Sequence, residues 1–333
     1  MTPGTRILLQ ARWHRAVIAE YPRLRSFPGV VSVGLGVKEH AGQLTGRRAV
    51  KIYVREKRAS LHPHERLPGS ARVLVPVGRG TYESRWLPTD VVELPRIVRA
   101  AGNHDLLNPV SSGAEIGLIA TGGGPGTFGC VVRIGSASRL LTAGHVVHDG
   151  GGAVPKDIQV YQPQPQFPRQ EWLLGHTTDG FVGNEVRSHG YVDAALIELS
   201  NPDRSATNTA WDPRIGPLAG FLTADAVQND KTAVHKVGAR TGYTLGDFSA
   251  FHARLLDSAA SDEYDNVLEF LVSDSEPSAV LAEGGDSGAV LVSRASLSAG
   301  RIAGLLFAVS TDGRRAFAIP FDRLVARFGL GVP

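Results

Sequence analysis

Hydrophobic positions in the N-terminal third follow one helical pattern and then several strand patterns. Over residues 5–24 apolar side chains recur on one face at helical spacing, and Pro22 closes the pattern. The strand-like runs that follow are Val30–Val37, Ala49–Val54, Val73–Val77 and a last one near Val91–Leu94. Together these patterns predict a small α+β domain at the N-terminus.

The remaining two thirds of the chain show short apolar runs separated by glycine turns, which is typical of a β-rich architecture. The runs that predict strands are Lys236–Gly246 with two strands, Ile302–Val309 and Ala316–Pro320, while Gly126–Val132 leads into the apolar strand pattern that ends at His145. The last apolar positions recur at i, i+3, i+4 and i+7, and they are Phe321, Leu324, Val325 and Phe328. That spacing predicts an amphipathic helix that closes the chain.

A polar, turn-rich stretch separates these two patterns. Residues 99–113 are small, polar or turn-forming, which indicates a linker. We therefore predict a basic α+β domain at residues 1–105, a linker at 106–115 and a β-rich body at 116–333.

Composition agrees with a soluble, β-rich globular protein. Of the 333 residues 42% are apolar and 20% charged, which is ordinary, whereas the 39 glycines exceed the usual share of about 7%. The single cysteine, Cys130, excludes an intramolecular disulfide and indicates a reducing compartment or a bacterial source. The N-terminus has no signal-peptide pattern and no run is long enough to span a membrane, so we expect a cytoplasmic protein.

Charge is distributed unevenly along the chain. Residues 1–105 carry 18 Lys or Arg and 8 Asp or Glu, while residues 106–333 carry 17 and 24, within a net charge of +3. This asymmetry indicates either docking of the basic part on the acidic part or a separate anionic partner. Residues 257–276 contain several acidic residues and no Lys or Arg, which predicts either a solvated acidic loop or a surface for that docking.

The sequence gives little reason to expect a metal or a nucleic acid. His62 and His64 are of metal-ligating type, but no cysteine or further histidine lies nearby, so no metal site is predicted. The chain has no Gly-rich phosphate loop, RNP-like block or zinc-binding spacing, and basic charge alone is a weak sign of nucleic-acid binding. We expect no cofactor, no membrane partner and no nucleic acid.

Three separate stretches carry residues suited to nucleophilic catalysis. Ser287 lies in a glycine-rich turn that exposes a hydroxyl and directs backbone N–H groups inward. His145 follows an apolar strand pattern, and Asp193 begins a β-rich run. Alone, each has an ordinary explanation: a surface serine, a structural histidine or a turn-forming aspartate. Their order His, Asp, Ser, with separations of 48 and 94 residues, favours a catalytic triad.

At these residues the chain resembles a known family. The segments LLTAGHVV, VDAALIEL and GGDSGAV resemble the three signature blocks of chymotrypsin-like (trypsin-like) serine peptidases. The resemblance implies a double β-barrel with a C-terminal helix and a peptide or protein substrate. It implies that His145 is the general base, that Asp193 orients it and that Ser287 is the nucleophile. The backbone N–H groups of Gly285 and Ser287 would form the oxyanion hole.

A narrower resemblance concerns the N-terminal domain and the substrate pocket. The Lys236–Gly246 block, the GTFG segment and PGVVSVGLGVKE resemble bacterial trypsin-like peptidases related to the plant narrow-leaf protease. In that case the N-terminal domain is a family feature with a regulatory or targeting role. By the resemblance, Leu281 lies at the base of the primary pocket and implies an apolar or small P1 residue, while Phe307 and Ala308 narrow the pocket.

Activation and function leave alternatives open at this point. Many secreted relatives become active when a newly cut N-terminus pairs with the aspartate before the serine, here Asp286. This chain places a domain ahead of the barrels, and Arg96–Val98 lacks an Ile-Val-Gly-Gly start. The site is therefore either preformed or completed by cleavage or domain movement. Alternatives to a peptidase are a catalytically silent interaction protein of this fold and a nucleic-acid-associated protein anchored by its basic domain.

Overall fold

The computed structural model describes residues 3–40, 43–58, 62, 65–78, 81–93, 97–98, 106–119, 124–185, 190–257, 262–275 and 279–331. Strands dominate these ranges, and a C-terminal helix closes them. No helix in the described ranges combines the length and the apolar character that crossing a bilayer requires. The predicted mainly β architecture with a closing helix is confirmed.

The N-terminal elements form a helix packed on a sheet. They are α1 (Pro3–Arg25), β1 (Val30–His40), β2 (Gln43–Val54), β3 (Ser70–Gly78) and β4 (Thr81–Glu93). Ala16, Val17 and Leu24 of α1 are buried in one apolar cluster with residues of β1, β2 and β3. The strand predicted near Val91–Leu94 begins much earlier, at Thr81. The sequence pattern did not predict its first part, because residues 81–86 are all exposed and show no apolar periodicity.

The middle of the chain forms an antiparallel sheet with three flanking pairings. The strands are β5 (Ile97–Val98), β6 (Val110–Ser112), β7 (Glu115–Ile116), β8 (Gly126–Thr127), β9 (Cys130–Ile134), β10 (Ala137–Thr142), β11 (Gly152–Ala153), β12 (Gln159–Tyr161), β13 (Leu173–Glu185), β14 (Gly190–Leu199) and β15 (Ala206–Ala210). The main sheet has the order β11-β13-β14-β10-β9, and β12 pairs with β13. Outside it, β7 pairs with β8, β6 pairs with β15, and β5 pairs with a later strand.

The C-terminal strands close into a barrel. The elements are α2 (Ala224–Asn229), β16 (Ala233–Gly238), β17 (Gly242–Asp257), β18 (Asp262–Val272), β19 (Val290–Ser293), β20 (Ile302–Ser310), β21 (Arg315–Pro320) and α3 (Phe321–Phe328). The order β16-β19-β20-β21-β18-β17 is closed by pairing of β16 with β17. Phe321, Leu324 and Phe328 of α3 are buried, so the predicted amphipathic helix is confirmed.

The predicted linker contains residues that pack in the body. Val110 is fully buried, and β6 pairs in parallel with β15 through Val110↔Ala206. Glu115 and Ile116 pair with β8. The boundaries at 105 and 115 stay predictions, although the chain from Val110 onward shares hydrogen bonds with the body.

The N-terminal sheet continues into the C-terminal barrel through β1 and β17. These strands pair antiparallel, with Gly34 opposite His252 and Gly36 opposite Ala250. A Cβ at Gly34 would lie 2.7 Å from the Phe251 carbonyl oxygen, and one at Gly36 would collide with the carbonyl of Ser249. The glycines of the GLG segment are therefore required by the close approach of the two strands.

A buried cluster of charges spans this junction. The Lys51 ammonium on β2 donates to Ser249 Oγ at 2.8 Å, and Ser249 donates to Glu269 Oε1 at 2.9 Å. Arg315 on β21 donates to Glu269 Oε1 at 2.6 Å and reaches Glu39 Oε2 of β1 at 3.0 Å. The cluster therefore joins the N-terminal sheet to three strands of the barrel.

The buried carboxylate of Glu269 is ionised within this cluster. Burial alone would raise its pKa, but the charge of Arg315, a hydrogen bond from His252 and the charge of Lys51 hold the pKa well below its usual range. The His252 ring donates from Nε2 to Glu269 Oε2 at 2.7 Å. Removing Glu269 would leave Glu39 alone to compensate two buried cations, Lys51 and Arg315.

The acidic stretch 257–276 is not a solvated loop over most of its length. Residues 262–272 form β18, which pairs along β17 and β21. Asp265 accepts a hydrogen bond from Arg254 of β17 at 3.0 Å, and Glu269 is buried. The solvated-loop interpretation is wrong there. Basic residues on the paired strands offset the acidic charge: Arg254 on the preceding strand β17 and Arg315 on the distant strand β21.

Candidate active site

His145 is presented by a short 3-10 helix at the end of β10. The helix spans Gly144–Val146 and follows directly on the buried residues of β10. Gly144 is required there because a Cβ would lie 2.6 Å from Val182 Cγ2 on β13. The His145 side chain is only 7% exposed. The local turn thus directs the imidazole into the interior between the sheets.

Asp193 on β14 holds that imidazole through two hydrogen bonds. Its Oδ2 accepts from His145 Nδ1 at 2.6 Å, and its Oδ1 accepts from the His145 backbone N–H at 2.9 Å. The carboxylate is 1% exposed, and Tyr191 donates a third, longer bond to Oδ2 at 3.4 Å. With Nδ1 donating its proton to a carboxylate, Nε2 is the nitrogen that carries the free lone pair.

Ser287 lies in a turn that only glycines can build. Gly285 and Gly288 have φ values of 110° and 95°, and a Cβ at Gly288 would collide with the Thr127 carbonyl. The Ser287 hydroxyl donates to the carbonyl oxygen of Phe307 at 3.2 Å. Both Ser287 and His145 belong to the described residues, and no hydrogen bond joins them in this conformation.

The two-residue strand β8 connects the His145 and Ser287 segments. The Thr127 N–H donates to the Ser287 carbonyl at 2.7 Å, and its hydroxyl donates to the Gly285 carbonyl at 2.5 Å. Thr142, at the end of β10, donates to the Thr127 carbonyl at 2.8 Å. Thr127 was not predicted as a site residue, and its place in the GTFG segment was the only sequence signal.

The turn around Ser287 leaves two backbone N–H groups without acceptors. Asp286 N–H donates to Glu283 at 3.2 Å, and Gly288 N–H donates to Leu306 at 2.7 Å. Among the described residues, nothing accepts from the N–H groups of Gly285 and Ser287. These are the two groups that the resemblance assigns to an oxyanion hole.

A buried lysine pairs with the aspartate before the serine. Lys236 Nζ on β16 lies 3.0 Å from Asp286 Oδ2, and both side chains are fully buried. Asp286 Oδ1 also accepts from the backbone N–H groups of Arg240 and Thr241 at 3.0 and 3.2 Å. Asp286 is therefore anchored by an internal cation rather than by a chain terminus. Sequence reasoning missed Lys236, whose only signal was a lysine inside a buried strand pattern.

The three predicted pocket residues are buried, and they belong to two different apolar clusters. Leu281 and Phe307 are buried in apolar clusters, and Ala308 is buried beside Phe307. The Phe307 ring contacts the Tyr191 ring at a centroid distance of 5.0 Å, while its carbonyl accepts from Ser287. Phe307 thus touches the candidate site directly, and the assignment of all three residues to a substrate pocket stays a prediction.

No group of three or more His, Cys, Asp or Glu side chains is placed to hold a metal ion in the described ranges. His62 lies inside those ranges, and His64 lies outside the described residues.

Comparisons with known proteins give structural likenesses only. No family model matches the chain, and no curated protein matches it. Thermobifida fusca protease A is 19% identical, with a TM-score of 0.46 over 67% of this chain and 97% of that chain. Nocardiopsis protease is 19% identical, with a TM-score of 0.45 over 67% and 97%. Cellulomonas bogoriensis chymotrypsin is 17% identical, with a TM-score of 0.44 over 68% and 98%. Over about two thirds of its length the chain is thus similar to three named proteases.

Proposed function

We propose that this protein is a serine endopeptidase that cleaves peptide bonds through an acyl-enzyme. The observation that carries the proposal is the 2.6 Å hydrogen bond from His145 Nδ1 to Asp193, beside a glycine turn that bears Ser287. A serine hydroxyl is a poor nucleophile at neutral pH, and a base oriented by a carboxylate is what activates it. The unpaired amides of Gly285 and Ser287 add a second element of the same chemistry.

The first half of the reaction forms the acyl-enzyme. Rotation of the Ser287 side chain about Cα–Cβ takes its hydroxyl from the Phe307 carbonyl toward His145 Nε2. As Oγ attacks the substrate carbonyl carbon, Nε2 takes the hydroxyl proton and Asp193 stabilises the resulting imidazolium. The tetrahedral oxyanion accepts hydrogen bonds from the amides of Gly285 and Ser287, a contribution worth about 3–4 kcal/mol per donor.

The second half releases the products. His145 gives its proton to the leaving amine as the C–N bond breaks, so an ester on Ser287 remains. A water molecule then gives a proton to Nε2 and attacks the ester carbon. Collapse of this second intermediate returns the proton to Ser287 Oγ and frees a carboxylic acid. No cofactor takes part in these steps.

We further propose that the internal ion pair keeps the catalytic turn formed without a new N-terminus. Lys236 supplies the positive charge beside Asp286, at 3.0 Å and fully buried. The turn from Gly285 to Gly288 thereby keeps the unpaired amides of Gly285 and Ser287 directed to one place. We assign an apolar or small P1 preference to the pocket around Leu281, and a regulatory role to the N-terminal domain.

Labelling with a fluorophosphonate probe tests the proposal, together with cleavage of a peptide library by the full chain. We expect one probe per chain on Ser287, turnover of peptides, and loss of both in Ser287→Ala. Ser293→Ala is the matched control, since Ser293 is buried on β19 and its hydroxyl meets that of Ser298 at 2.7 Å and accepts from the Ala295 N–H at 3.3 Å. A Ser287→Ala protein that still binds the probe or cleaves peptides would contradict the assignment.

A further inference from the structure

The N-terminal part of the chain contains a cavity that the proposed reaction does not use. Its volume is about 400 Å³, and it lies between the loop before β1, the end of β2 and the strand β4. That volume falls within the range of roughly 300–1,000 Å³ that is typical of small-ligand sites. Every residue described in its wall lies between Pro28 and Val91, whereas the candidate catalytic residues begin at His145. The cavity is therefore a second site, apart from the Ser287 turn.

One side of this cavity is apolar and continuous with the core under α1. Val54, the last residue of β2, is 6% exposed and belongs to the apolar cluster that α1 covers. Leu67 and Val91 are partly buried against the same cluster. Pro28 completes the apolar lining. An apolar side chain that entered the cavity would therefore be removed from water on contact with these residues.

Three exposed cations line the cavity directly after β2. They are Arg55, Lys57 and Arg58, and within the part of the chain that the structure describes none of them has a carboxylate partner. Their backbone is nevertheless anchored, because the Arg55 N–H donates to the Gly29 carbonyl at 3.1 Å and the Lys57 N–H donates to Glu93 Oε2 at 3.2 Å. The positive charges are thus available to an anion in the cavity.

Two carboxylates line the same cavity and narrow the choice of ligand. They are Glu56 and Glu65, and Glu65 Oε2 accepts from the His62 N–H at 3.1 Å. A fatty acid would bring an anionic head and an alkyl chain, with no donor for these carboxylates. The end of a peptide brings an α-carboxylate for the cations and main-chain N–H groups for Glu56 and Glu65. The charges of the cavity therefore complement a peptide C-terminus.

We propose that this cavity binds the C-terminus of a peptide whose last residue is apolar. The side chain of that residue lies against Val54 and Val91, and its α-carboxylate lies among Arg55, Lys57 and Arg58. The choice of a peptide rests on the proposed function, because cleavage after an apolar P1 residue releases a peptide that ends in this way. The N-terminal part of the chain is thereby a product-binding part of the same protein.

Fluorescence anisotropy of a short dye-labelled peptide tests the inference on the full-length Ser287→Ala chain. The peptide is Ala-Ala-Leu with a free α-carboxylate, and we expect one peptide to bind per chain. The same peptide with a C-terminal amide should bind about tenfold more weakly or worse, because it cannot accept charge-assisted hydrogen bonds. Decanoate, which carries a carboxylate but no N–H group, should displace the peptide acid only at a much higher concentration.

A charge reversal at Arg55 separates this cavity from the catalytic site, which could also hold a peptide acid. The matched control lies at the other end of β2, where Arg47 is likewise exposed and has no carboxylate partner in the described ranges. Both variants are made in the Ser287→Ala chain, and both change the net charge equally. We expect Arg55→Glu to weaken binding of the peptide acid about tenfold, and Arg47→Glu to change it less than about twofold.

Three results would each overturn the inference: equal affinity for the acid and the amide, equal affinity in Arg55→Glu and Arg47→Glu, or tighter binding of decanoate than of the peptide acid. None of these measurements depends on turnover. A chain that binds the peptide acid through Arg55 but takes up no fluorophosphonate probe retains the peptide site and loses the proposed function. A chain that takes up the probe but does not distinguish the acid from the amide loses the inference alone.

Discussion

At the scale of single residues, Asp193 has the most direct control over the imidazole. It accepts from both the ring Nδ1 and the backbone N–H of His145. In Asp193→Asn an amide group replaces one acceptor, so the ring is driven to the tautomer whose Nε2 carries a proton. We expect kcat for a peptide substrate to fall roughly 10⁴-fold at neutral pH.

The matched control is Asp179→Asn on the neighbouring strand β13, where the carboxylate is exposed and accepts from the adjacent Gly180 N–H. Its kcat should stay close to that of the unchanged protein. Activity of Asp193→Asn within tenfold of the unchanged protein would remove Asp193 from the site.

His235 makes stability depend on pH. Burial and the charge of Arg294 lower its pKa from 6.5 to about 4, against a smaller opposing effect of Asp212. Between these values the unfolded chain binds a proton that the folded chain does not. The stability that neutral His235 contributes is therefore fully present above pH 6.5 and is lost progressively as the pH falls toward 4.

Urea unfolding at pH 7.5 and pH 5.0 measures this effect. We expect the unchanged protein to lose stability between the two pH values and His235→Gln to lose clearly less, because glutamine does not titrate. The pKa values of Glu39 and Glu269 are lowered, so these carboxylates stay ionised at both pH values. Equal losses in both proteins would contradict the prediction.

At the scale of elements, β8 is hydrogen-bonded to the turn that carries Ser287. The Thr127 hydroxyl donates to the Gly285 carbonyl and accepts from the Ala239 N–H at 3.0 Å. Thr127→Val removes both bonds and leaves two buried backbone groups unsatisfied, at a cost of about 1–3 kcal/mol each. We expect kcat to fall about tenfold to a hundredfold with little change in KM. Thr127→Ser keeps the hydroxyl and should retain most of the activity.

The same strand shows how a segment without a strand pattern acquires a defined position between the His145 and Ser287 segments. The GTFG segment has two glycines and no strand periodicity, yet Gly126 and Thr127 contact both halves of the site. A Thr127→Val protein with unchanged kcat would show that the turn keeps its shape through other contacts.

At the scale of the whole molecule, the buried charge cluster ties the N-terminal sheet to the barrel. Glu269 receives hydrogen bonds from Ser249, His252 and Arg315. Glu269→Gln removes one of the two carboxylates, Glu269 and Glu39, that compensate the buried charges of Arg315 and Lys51. Breaking a buried pair in this way costs about 3–5 kcal/mol.

Urea unfolding followed by tryptophan fluorescence measures this loss. The control is Glu263→Gln, an exposed residue 3.7 Å from Arg254, which should change stability by less than about 1 kcal/mol. If Glu269→Gln and Glu263→Gln lower the free energy of unfolding by the same small amount, the cluster does not link the N-terminal sheet strongly to the barrel.

Several elements could be predicted because their patterns are local. The strands β20 and β21 are apolar runs bounded by turn residues, and α3 has an unambiguous helical spacing. Residues 81–86 of β4 were missed, because a strand exposed on both faces leaves no alternation to detect. Of the two interpretations of the acidic stretch, the solvated loop is wrong over β18 for a related reason, since the partners of these residues lie on other strands.

The partners of the site residues could not be predicted, because they are remote in sequence. Thr127 and Gly285 are 158 residues apart, and Lys236 belongs to a strand far from the Ser287 turn. A lysine in an apolar run is equally compatible with an exposed edge strand. Only the closed barrel shows that it faces Asp286.

The sequence by itself determined which groups are present and how each local turn is built: the imidazole at the end of a strand, the carboxylate within one, and the hydroxyl between glycines. Only the tertiary structure decided that Nδ1 of His145 meets Asp193, that the Ser287 hydroxyl points to Phe307, and that β5 lies on the edge of β20. The physical reason is that periodicity records which face of an element is buried. Which edges and charges meet depends instead on the free energy of the whole packed chain.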